Sequence, residues 1–197
     1  RVVIVVTSDK CYETREWLWS YRENDPMGGK DPYSNSKGCA ELVTNAYRTS
    51  FFNGASSPRV ASVRAGNVIG GGDWAKDRLV PDLVRAFQSG TAALVRNPGA
   101  TRPWQFVLDP LSGYLTLAEA LWNGGELAEG WNFGPHDFDV HPVQWIADRL
   151  AGLWGDGAAW RTDASENPAE AFTLTLDSSR ARTLLGWQPR VALDSAL

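Results

Sequence analysis

The chain has 197 residues, of which 43% are hydrophobic, and a formal net charge of −4. This composition is that of a globular protein with one core or slightly more, and it excludes a disordered chain. The acidic balance and the absence of a basic run argue against a nucleic-acid partner, and no apolar stretch approaches the roughly 20 residues that cross a bilayer, so no membrane partner is expected.

Cysteine and histidine are too few to suggest a metal site or a disulfide framework. Cys11 and Cys39 are the only cysteines and lack a CxxC spacing, so we expect reduced thiols in a cytoplasmic protein. With only His136 and His141 to add, zinc would lack ligands and no metal is expected. The chain also enters a Val/Ile run without a cleavage pattern, so we expect no signal peptide.

The first segment, Val2–Val6, is an unbroken β-branched run. It predicts a parallel, central strand that is buried on both faces. A domain rarely opens on such a strand, and the chain lacks an initiator Met, so we expect that preceding sequence is missing. Thr7–Tyr12 is polar and follows the strand at its carboxyl end, where open α/β sheets build their sites. Residues 13–30 predict a loop that could help to cover a ligand.

A helix is predicted from Pro32 to about Ser50, because Asp31 can cap it and Pro32 suits its first turn. The strand Arg59–Val63 comes next, so strand, helix and strand form one βαβ unit. The apolar side chains of the helix predict the face that packs on the sheet: Cys39, Leu42, Val43, Ala46 and Tyr47.

The rest of the chain alternates helical and extended patterns. Gly70–Gly72 lacks the G-x-G-x-x-G spacing, which favours a flexible turn over a phosphate loop. Extended structure is predicted for Ala92–Val95, Arg102–Asp109, Gly130–Pro135 and Phe172–Leu176, and helices are predicted for Leu79–Gln88, Pro110–Trp122, Val140–Trp154 and, after a cap at Asp177, Ser178–Leu185.

Tyr33 and Lys37 lie four residues apart, so their side chains share one face of the predicted helix. An ammonium beside a phenol stabilises the phenolate, which can then take a proton from an alcohol at neutral pH. The spacing alone arises often by chance, but here the preceding strand ends in Ser8, Asp9 and Lys10. A hydroxyl, a phenol and an ammonium can together deprotonate a secondary alcohol while hydride leaves for a nicotinamide.

Six segments within the first 135 residues resemble those of a known family. With them the chain resembles the carboxyl-terminal two thirds of an extended short-chain dehydrogenase/reductase, and within that family the CDP-glucose branch of the 4,6-dehydratases. Two features resemble the CDP-glucose branch in particular: the Asp9-Lys10 pair, where the related dTDP-glucose enzymes usually have Asp-Glu, and the Gly-Gly-Gly-Asp-Trp segment that ends at Trp74. The segments are Thr7–Tyr12, Glu23–Pro26, Asp31–Glu41, Arg64–Trp74, Arg102–Gln105 and Trp131–Pro135.

The resemblance implies a fold, a cofactor and partners. The fold class is α/β: a truncated NAD(P)-binding Rossmann-type parallel sheet with a small α/β sugar-nucleotide-binding domain. Residues 1–66 belong to the first domain and residues 67–197 mainly to the second, with residues near 105–135 returning to the first. NAD is the implied cofactor, CDP-glucose the substrate and a homodimer the assembly. The Gly-rich fingerprint of the family, which binds the pyrophosphate, is absent from this sequence.

Residue roles also follow from the resemblance. Tyr33 is the base at the C4 hydroxyl, Lys37 tunes it and holds the nicotinamide ribose, and Ser8 bonds the same hydroxyl. Asp9 is the acid toward the C6 hydroxyl and Lys10 assists proton removal at C5, although a solvated salt bridge is an alternative for both. The implied cofactor residues are Tyr33, Lys37, Ala65 and Asn67, and the implied substrate residues are Asn67, Trp74, Arg78, Arg102, Trp104 and Gln105.

Alternatives stay open at this stage. Packing or surface charge accounts equally well for Trp74, Arg78, Trp104 and Gln105. A 4-epimerase of the same superfamily would keep Tyr33 and Lys37 but would not need Asp9 and Lys10. A remnant that only binds sugar nucleotides, or an interaction protein built on the ten tryptophans, are the non-catalytic rivals. For the full-length dehydratase, the resemblance implies a role in dideoxysugar synthesis for surface polysaccharide.

Overall fold

The computed structural model describes residues 1–155, 157–165 and 171–197; residues 156 and 166–170 of the expected second domain lie outside this range. A 3₁₀ turn spans Asp9–Cys11. The strands are β1 Val2–Val6, β2 Arg59–Ala65, β3 Val68–Ile69, β4 Ala93–Val95, β5 Thr101–Arg102, β6 Gln105–Phe106, β7 Gly130–Phe133, β8 His141–Pro142 and β9 Trp160–Thr162. The helices are α1 Pro32–Phe51, α2 Leu79–Gln88, α3 Leu108–Trp122, α4 Val143–Trp154, α5 Ser179–Leu185 and α6 Leu193–Ala196.

The strands β1, β2 and β7 form a three-stranded parallel sheet in the order β1-β2-β7. β1 and β2 pair from Val2 opposite Arg59 onward, and α1 connects them. This confirms the predicted βαβ unit. The prediction that β1 is central and buried is wrong for this chain: β1 ends the sheet, and Val3 and Val6 are 45% and 58% exposed. β-Branching favours a strand but does not determine its neighbours.

The main core covers one face of this sheet. The ring of Phe133 on β7 packs edge to face on the ring of Trp187, with 4.9 Å between the ring centroids. The ring of Tyr114 on α3 also packs edge to face on Phe133, with 5.4 Å between the centroids. Such offset aromatic contacts add to the hydrophobic burial that joins α3 and α5 to the strands. The buried members of this core are Ala61, Val63, Leu117, Leu121, Trp131, Phe133, Ala181 and Trp187.

The helix α1 packs on the other face, but not through its apolar stripe. Its buried residues are Ser34, Gly38 and Glu41, whereas Leu42 and Val43 are 58% and 57% exposed. The predicted packing face, Cys39, Leu42, Val43, Ala46 and Tyr47, is therefore wrong: all five are exposed. The physical reason is that α1 meets the sheet through polar bonds at Glu41. It also approaches closely at Gly38, where a Cβ would lie 3.2 Å from the Cys11 carbonyl oxygen.

Among its described residues, the second part of the chain contains three strand pairs: β3 with β6, β4 with β9, and antiparallel β5 with β8. The helix α2 has its predicted bounds, and α3 begins two residues earlier than predicted. Pairing of β8 with β5 delays the start of α4 from the predicted Val140 to Val143. The predicted strand Phe172–Leu176 is wrong, because only isolated bridges at Thr173 and Leu176 form there.

The N-cap residue of α5 is Ser178, which makes no side-chain capping bond, rather than the predicted Asp177. The helix starts at Ser179 rather than Ser178, and the Asp177 carboxylate accepts a hydrogen bond of 2.7 Å from the Ser179 N–H. Gly186 ends it in the left-handed region. In the ranges that the structure describes, no helix has both the length and the apolarity to cross a membrane.

Candidate active site

A cavity of about 500 Å³ lies where β1 and β2 end. The two strands are parallel, so the polar residues that follow them meet at one edge of the sheet. Ser8 and Asp9 follow β1, and Asn67 follows β2. Nine of the predicted site residues line the cavity: Ser8, Asp9, Lys10, Tyr33, Ala65, Asn67, Arg78, Arg102 and Trp104.

Ser8 and Asp9 form the best-defined part of the cavity wall. Ser8 caps the 3₁₀ turn by accepting a 3.2 Å bond from the Lys10 N–H. Its hydroxyl donates to Asp9 Oδ1 at 2.9 Å, while Asp9 Oδ2 is buried without a hydrogen-bond partner among the described residues. Asp9 therefore lines the cavity with one carboxylate oxygen bonded to Ser8 and the other buried and unbonded among the described residues.

Burial moves the pKa of Asp9 toward neutral pH. Asp9 is 3% exposed, and desolvation raises its pKa to about 6 although Ser8, Lys10 and Arg102 oppose the shift. Gly66 provides the space for this carboxylate, because a Cβ there would lie 2.9 Å from Asp9 Oδ2 and 2.3 Å from Pro103 Cγ. A carboxyl group tuned in this way, inside a cavity, is a candidate general acid.

Tyr33 and Lys37 lie on the first turns of α1, as the spacing predicted. Asp31 caps the helix by accepting a 3.0 Å bond from the Ser34 N–H. Tyr33 is 53% exposed and lines the cavity. Lys37 is not among the lining residues, but its ammonium lies 5.5 Å from the centroid of the Tyr33 ring, so the two side chains do form a pair.

Arg102 and Trp104 line the cavity but also have structural contacts. Arg102 is 5% exposed and donates to the Thr101 carbonyl at 2.9 Å. Trp104 packs in an apolar cluster with Ile69 and Ile146. Both residues therefore form the cavity wall and leave only part of their surface to a ligand.

The structure does not bring Trp74 or Gln105 to the cavity. Trp74 is 61% exposed, and its carbonyl accepts a 2.9 Å bond from Arg85. Gln105 is 2% exposed, and its side-chain amide donates to the Phe133 carbonyl at 2.8 Å. This contact joins β6 to β7, so the structure gives Gln105 a structural contact.

A buried polar network behind the cavity was missed in the sequence. Glu41 accepts bonds of 2.9 and 2.8 Å from Arg64 Nε and Nη2. Arg64 Nη1 donates to Tyr12 Oη at 2.7 Å, and that hydroxyl donates to Asn132 Oδ1 at 2.6 Å. All four residues belong to segments that carried the family resemblance, and that membership was the one signal that could have found them.

Tyr114 is a second residue that sequence reasoning missed. It lies on α3 and lines the cavity, and burial together with the charge of Asp9 raises its pKa to about 12. Its phenol therefore stays protonated at neutral pH and can act as a hydrogen-bond donor. Within the described ranges, no group of three or more His, Cys, Asp or Glu side chains is placed to hold a metal ion.

The fold and the cavity define a protein of the Rossmann-type α/β class, with a tyrosine–lysine helix beside the carboxyl ends of parallel strands. Residues 1–134 match the sequence profile described as the NAD dependent epimerase/dehydratase family. The chain belongs to this family.

Two curated relatives of the chain are sugar-nucleotide 4,6-dehydratases. The chain is 56% identical to the CDP-glucose 4,6-dehydratase of Salmonella typhimurium over 202 residues, which cover 100% of this chain and 56% of that protein. It is 25% identical to the dTDP-glucose 4,6-dehydratase of Neisseria gonorrhoeae over 188 residues, covering 90% of this chain and 51% of that protein. The chain thus spans about half the length of these relatives.

Solved structures support the fold. UDP-glucuronic acid 4-epimerase from Bacillus cereus, in complex with UDP-glucuronic acid and NAD, superposes with a TM-score of 0.84 at 19% identity, covering 99% of this chain and 58% of that one. dTDP-glucose 4,6-dehydratase from Bacillus anthracis, in complex with NAD, gives 0.79 at 17% identity, covering 98% and 58%.

Proposed function

We propose that this chain carries the catalytic and substrate-binding part of an NAD-dependent CDP-glucose 4,6-dehydratase, which converts CDP-glucose to CDP-4-keto-6-deoxyglucose. The 56% identity over the whole chain to the Salmonella CDP-glucose enzyme carries the proposal. The cavity supports it, because a base candidate at Tyr33 and an acid candidate at Asp9 line the same space.

Tyr33 and Lys37 have the first chemical task. Tyr33 takes the proton from the C4 hydroxyl. The ammonium of Lys37 lies 5.5 Å from the centroid of the Tyr33 ring. Ser8 bonds the same hydroxyl and orients it. When bound, NAD accepts hydride from C4 and later returns it to C6.

Asp9 and Lys10 have the second task. The 4-keto group makes the C5 proton acidic. This step requires Lys10 as the free amine, which accepts the C5 proton while the C6 hydroxyl leaves as water with the proton of Asp9. The unpartnered Oδ2 and the raised pKa of Asp9 suit this donation. After hydride has returned to C6, a proton returns to C5 and completes the 4-keto-6-deoxy sugar.

The residues present fit one side of the cofactor. Tyr33, Ala65 and Asn67 line the cavity, and together with Lys37 they would hold the nicotinamide ribose. The sequence contains no G-x-G-x-x-G segment, so the pyrophosphate would have to be bound by residues other than those of this chain. Asn67, Arg78 and Arg102 remain the proposed contacts to the sugar nucleotide.

The exposed stripe of α1 supports a homodimer. Leu42, Val43, Tyr47 and Phe51 are all more than half exposed, and an apolar helix face of this kind marks a protein interface. In this proposal two copies pair through α1. The wider role, dideoxysugar synthesis for surface polysaccharide in the cytoplasm, follows from the same proposal.

The test compares two sugar nucleotides in the longest polypeptide that the gene encodes around this chain. CDP-glucose and dTDP-glucose are each incubated with NAD, and the 4-keto-6-deoxy product is measured by its absorbance in base and by mass. We expect product from CDP-glucose, little from dTDP-glucose, and a loss of about a thousandfold or more in Tyr33→Phe.

The same products separate the rival functions. A 4-epimerase would give an epimer that keeps its C6 oxygen, so recovery of that epimer would replace the dehydratase proposal. A remnant that only binds sugar nucleotides would show CDP-glucose affinity without turnover. Full activity of Tyr33→Phe would reject the assigned base while leaving the overall reaction intact.

A further inference from the structure

The short segment that carries Ser8, Asp9 and Lys10 is held at both ends by one buried ion pair. We infer that the Glu41–Arg64 ion pair positions this segment against the helix that carries Tyr33. Glu41 and Arg64 are then positioning residues for the proposed reaction. The inference rests on the proposed function for its catalytic consequence. Its structural basis is independent of that function.

The first anchor is at Thr7. Its hydroxyl donates to Glu41 Oε1, and Thr7 directly precedes Ser8. Glu41 lies on α1, eight residues after Tyr33 and four after Lys37, so it projects from the same side of the helix as Lys37. One carboxylate therefore joins the helix of the proposed base to the strand end of the proposed acid.

The second anchor is at Tyr12, which directly follows the 3₁₀ turn. Arg64 Nη1 donates to Tyr12 Oη at 2.7 Å and to the Glu23 carbonyl at 3.1 Å, and the guanidinium carbon lies 5.2 Å from the centroid of the Tyr12 ring. The Tyr12 hydroxyl in turn donates a hydrogen bond of 2.6 Å to Asn132 Oδ1. Residues 8–11 are thus bracketed by two side chains that bond to the same ion pair.

Stability alone does not account for such a pair. Glu41 and Arg64 side chains are 4% and 5% exposed, and a buried ion pair is often no more stabilising than apolar residues of similar volume. What apolar residues cannot supply is direction: the bidentate contact fixes the guanidinium, and its third nitrogen then fixes Tyr12. Displacements near 1 Å at reacting groups can lower rates about a hundredfold, so this fixed geometry matters to catalysis.

The chain offers a matched control for this inference. Ser62 Oγ also donates to Glu41, at 2.6 Å, but Ser62 lies within β2 and does not adjoin the 8–11 segment. Thr7→Val and Ser62→Ala each remove one hydroxyl bond to the same carboxylate. Thr7→Ser keeps the hydroxyl and serves as the rescue variant.

The variants are measured in the full polypeptide with CDP-glucose and NAD. We expect Thr7→Val and Tyr12→Phe to lower kcat at least about tenfold with KM changed less than twofold. Ser62→Ala should keep kcat within twofold despite a similar fall in thermal midpoint, and Thr7→Ser should restore kcat. Amide exchange at Lys10 and Cys11 should accelerate in Thr7→Val but not in Ser62→Ala.

Each result decides the inference separately from the proposed function. An unchanged kcat in Thr7→Val and Tyr12→Phe, or an equal loss in Ser62→Ala, would overturn the positioning role. If the parent forms no product, the proposed function fails, and amide exchange still decides whether the pair holds the segment. Equal exchange rates in Thr7→Val and Ser62→Ala would then reject the inference as well.

Discussion

Replacing Asp9 by Asn should stabilise the protein at neutral pH. Asp9 is 3% exposed, and its Oδ2 has no hydrogen-bond partner among the described residues. Its pKa is raised by burial from 3.8 to about 6. At 1.36 kcal/mol per pKa unit, ionisation of this group destabilises the folded state by about 3 kcal/mol above pH 6. Asparagine removes that charge.

The contribution of Asp9 to the free energy of unfolding depends on pH, because its pKa is higher in the folded protein than in the unfolded chain. Between the unfolded pKa of 3.8 and the folded pKa of about 6, the folded protein keeps the Asp9 proton and the unfolded chain loses it. Stability therefore falls as pH rises through this window and the contribution is constant above it. The difference in unfolding free energy between Asp9→Asn and the parent should be about 2 kcal/mol larger at pH 8 than at pH 4.5.

Urea denaturation at the two pH values measures this difference, and Asp109 supplies the control. Asp109 is also buried, at 4% exposure, but its carboxylate accepts bonds from the Arg190 and Val191 N–H groups at 3.0 and 3.2 Å. Asp109→Asn should destabilise by about 1–3 kcal/mol at pH 8. A loss of similar size in Asp9→Asn would show that the Asp9 carboxylate is satisfied in the folded protein and would contradict the expected stabilisation.

Three further substitutions test other parts of the structure. Gly66→Ala should abolish activity and destabilise the fold, because its Cβ would lie 2.3 Å from Pro103 Cγ; a stable, active variant would contradict the close approach. Leu42→Asp on α1 should convert the proposed dimer to monomer in sedimentation, whereas Leu184→Asp, at an equally exposed leucine, should not. Asn132→Ala should lower the unfolding free energy by about 2–4 kcal/mol in urea, because the side chain accepts from one buried hydroxyl and donates to two carbonyls; an unchanged midpoint would contradict this.

Local patterns predicted the elements well and their environments less well. The α2 helix and the βαβ unit follow from capping residues, periodicity and β-branching, which are local properties of the sequence. The apolar stripe of α1 was assigned to the sheet because hydrophobic residues are usually the buried ones. The structure buries Glu41 there instead, since Arg64, Ser62 and Thr7 all bond to it.

In the candidate site, too, local sequence patterns predicted some residues, whereas contacts between distant residues could not be predicted. Ser8, Asp9 and Tyr33 could be predicted because they follow a strand or open a helix, where parallel sheets place their sites. The network behind them depends on pairs that are distant in sequence, such as Tyr12 with Asn132, 120 residues apart. Spacing carries no information about such contacts. Tyr114 faces the cavity for the same kind of reason, because α3 packs across β1 and β2.

Glu41 and Asp9 are both buried acids, yet the structure pushes their pKa values in opposite directions. Burial raises the pKa of each, but the bonds from Arg64, Ser62 and Thr7 outweigh it at Glu41 and lower that pKa, whereas Asp9 has one side-chain donor, Ser8, and its pKa rises. Environments that separate two titratable groups in this way indicate different tasks. Glu41 stays ionised and holds Thr7, and Thr7 leads directly to Ser8 and Asp9. The satisfied carboxylate of Glu41 thus positions the segment that carries the unsatisfied carboxylate of Asp9, and Asp9 lines the cavity.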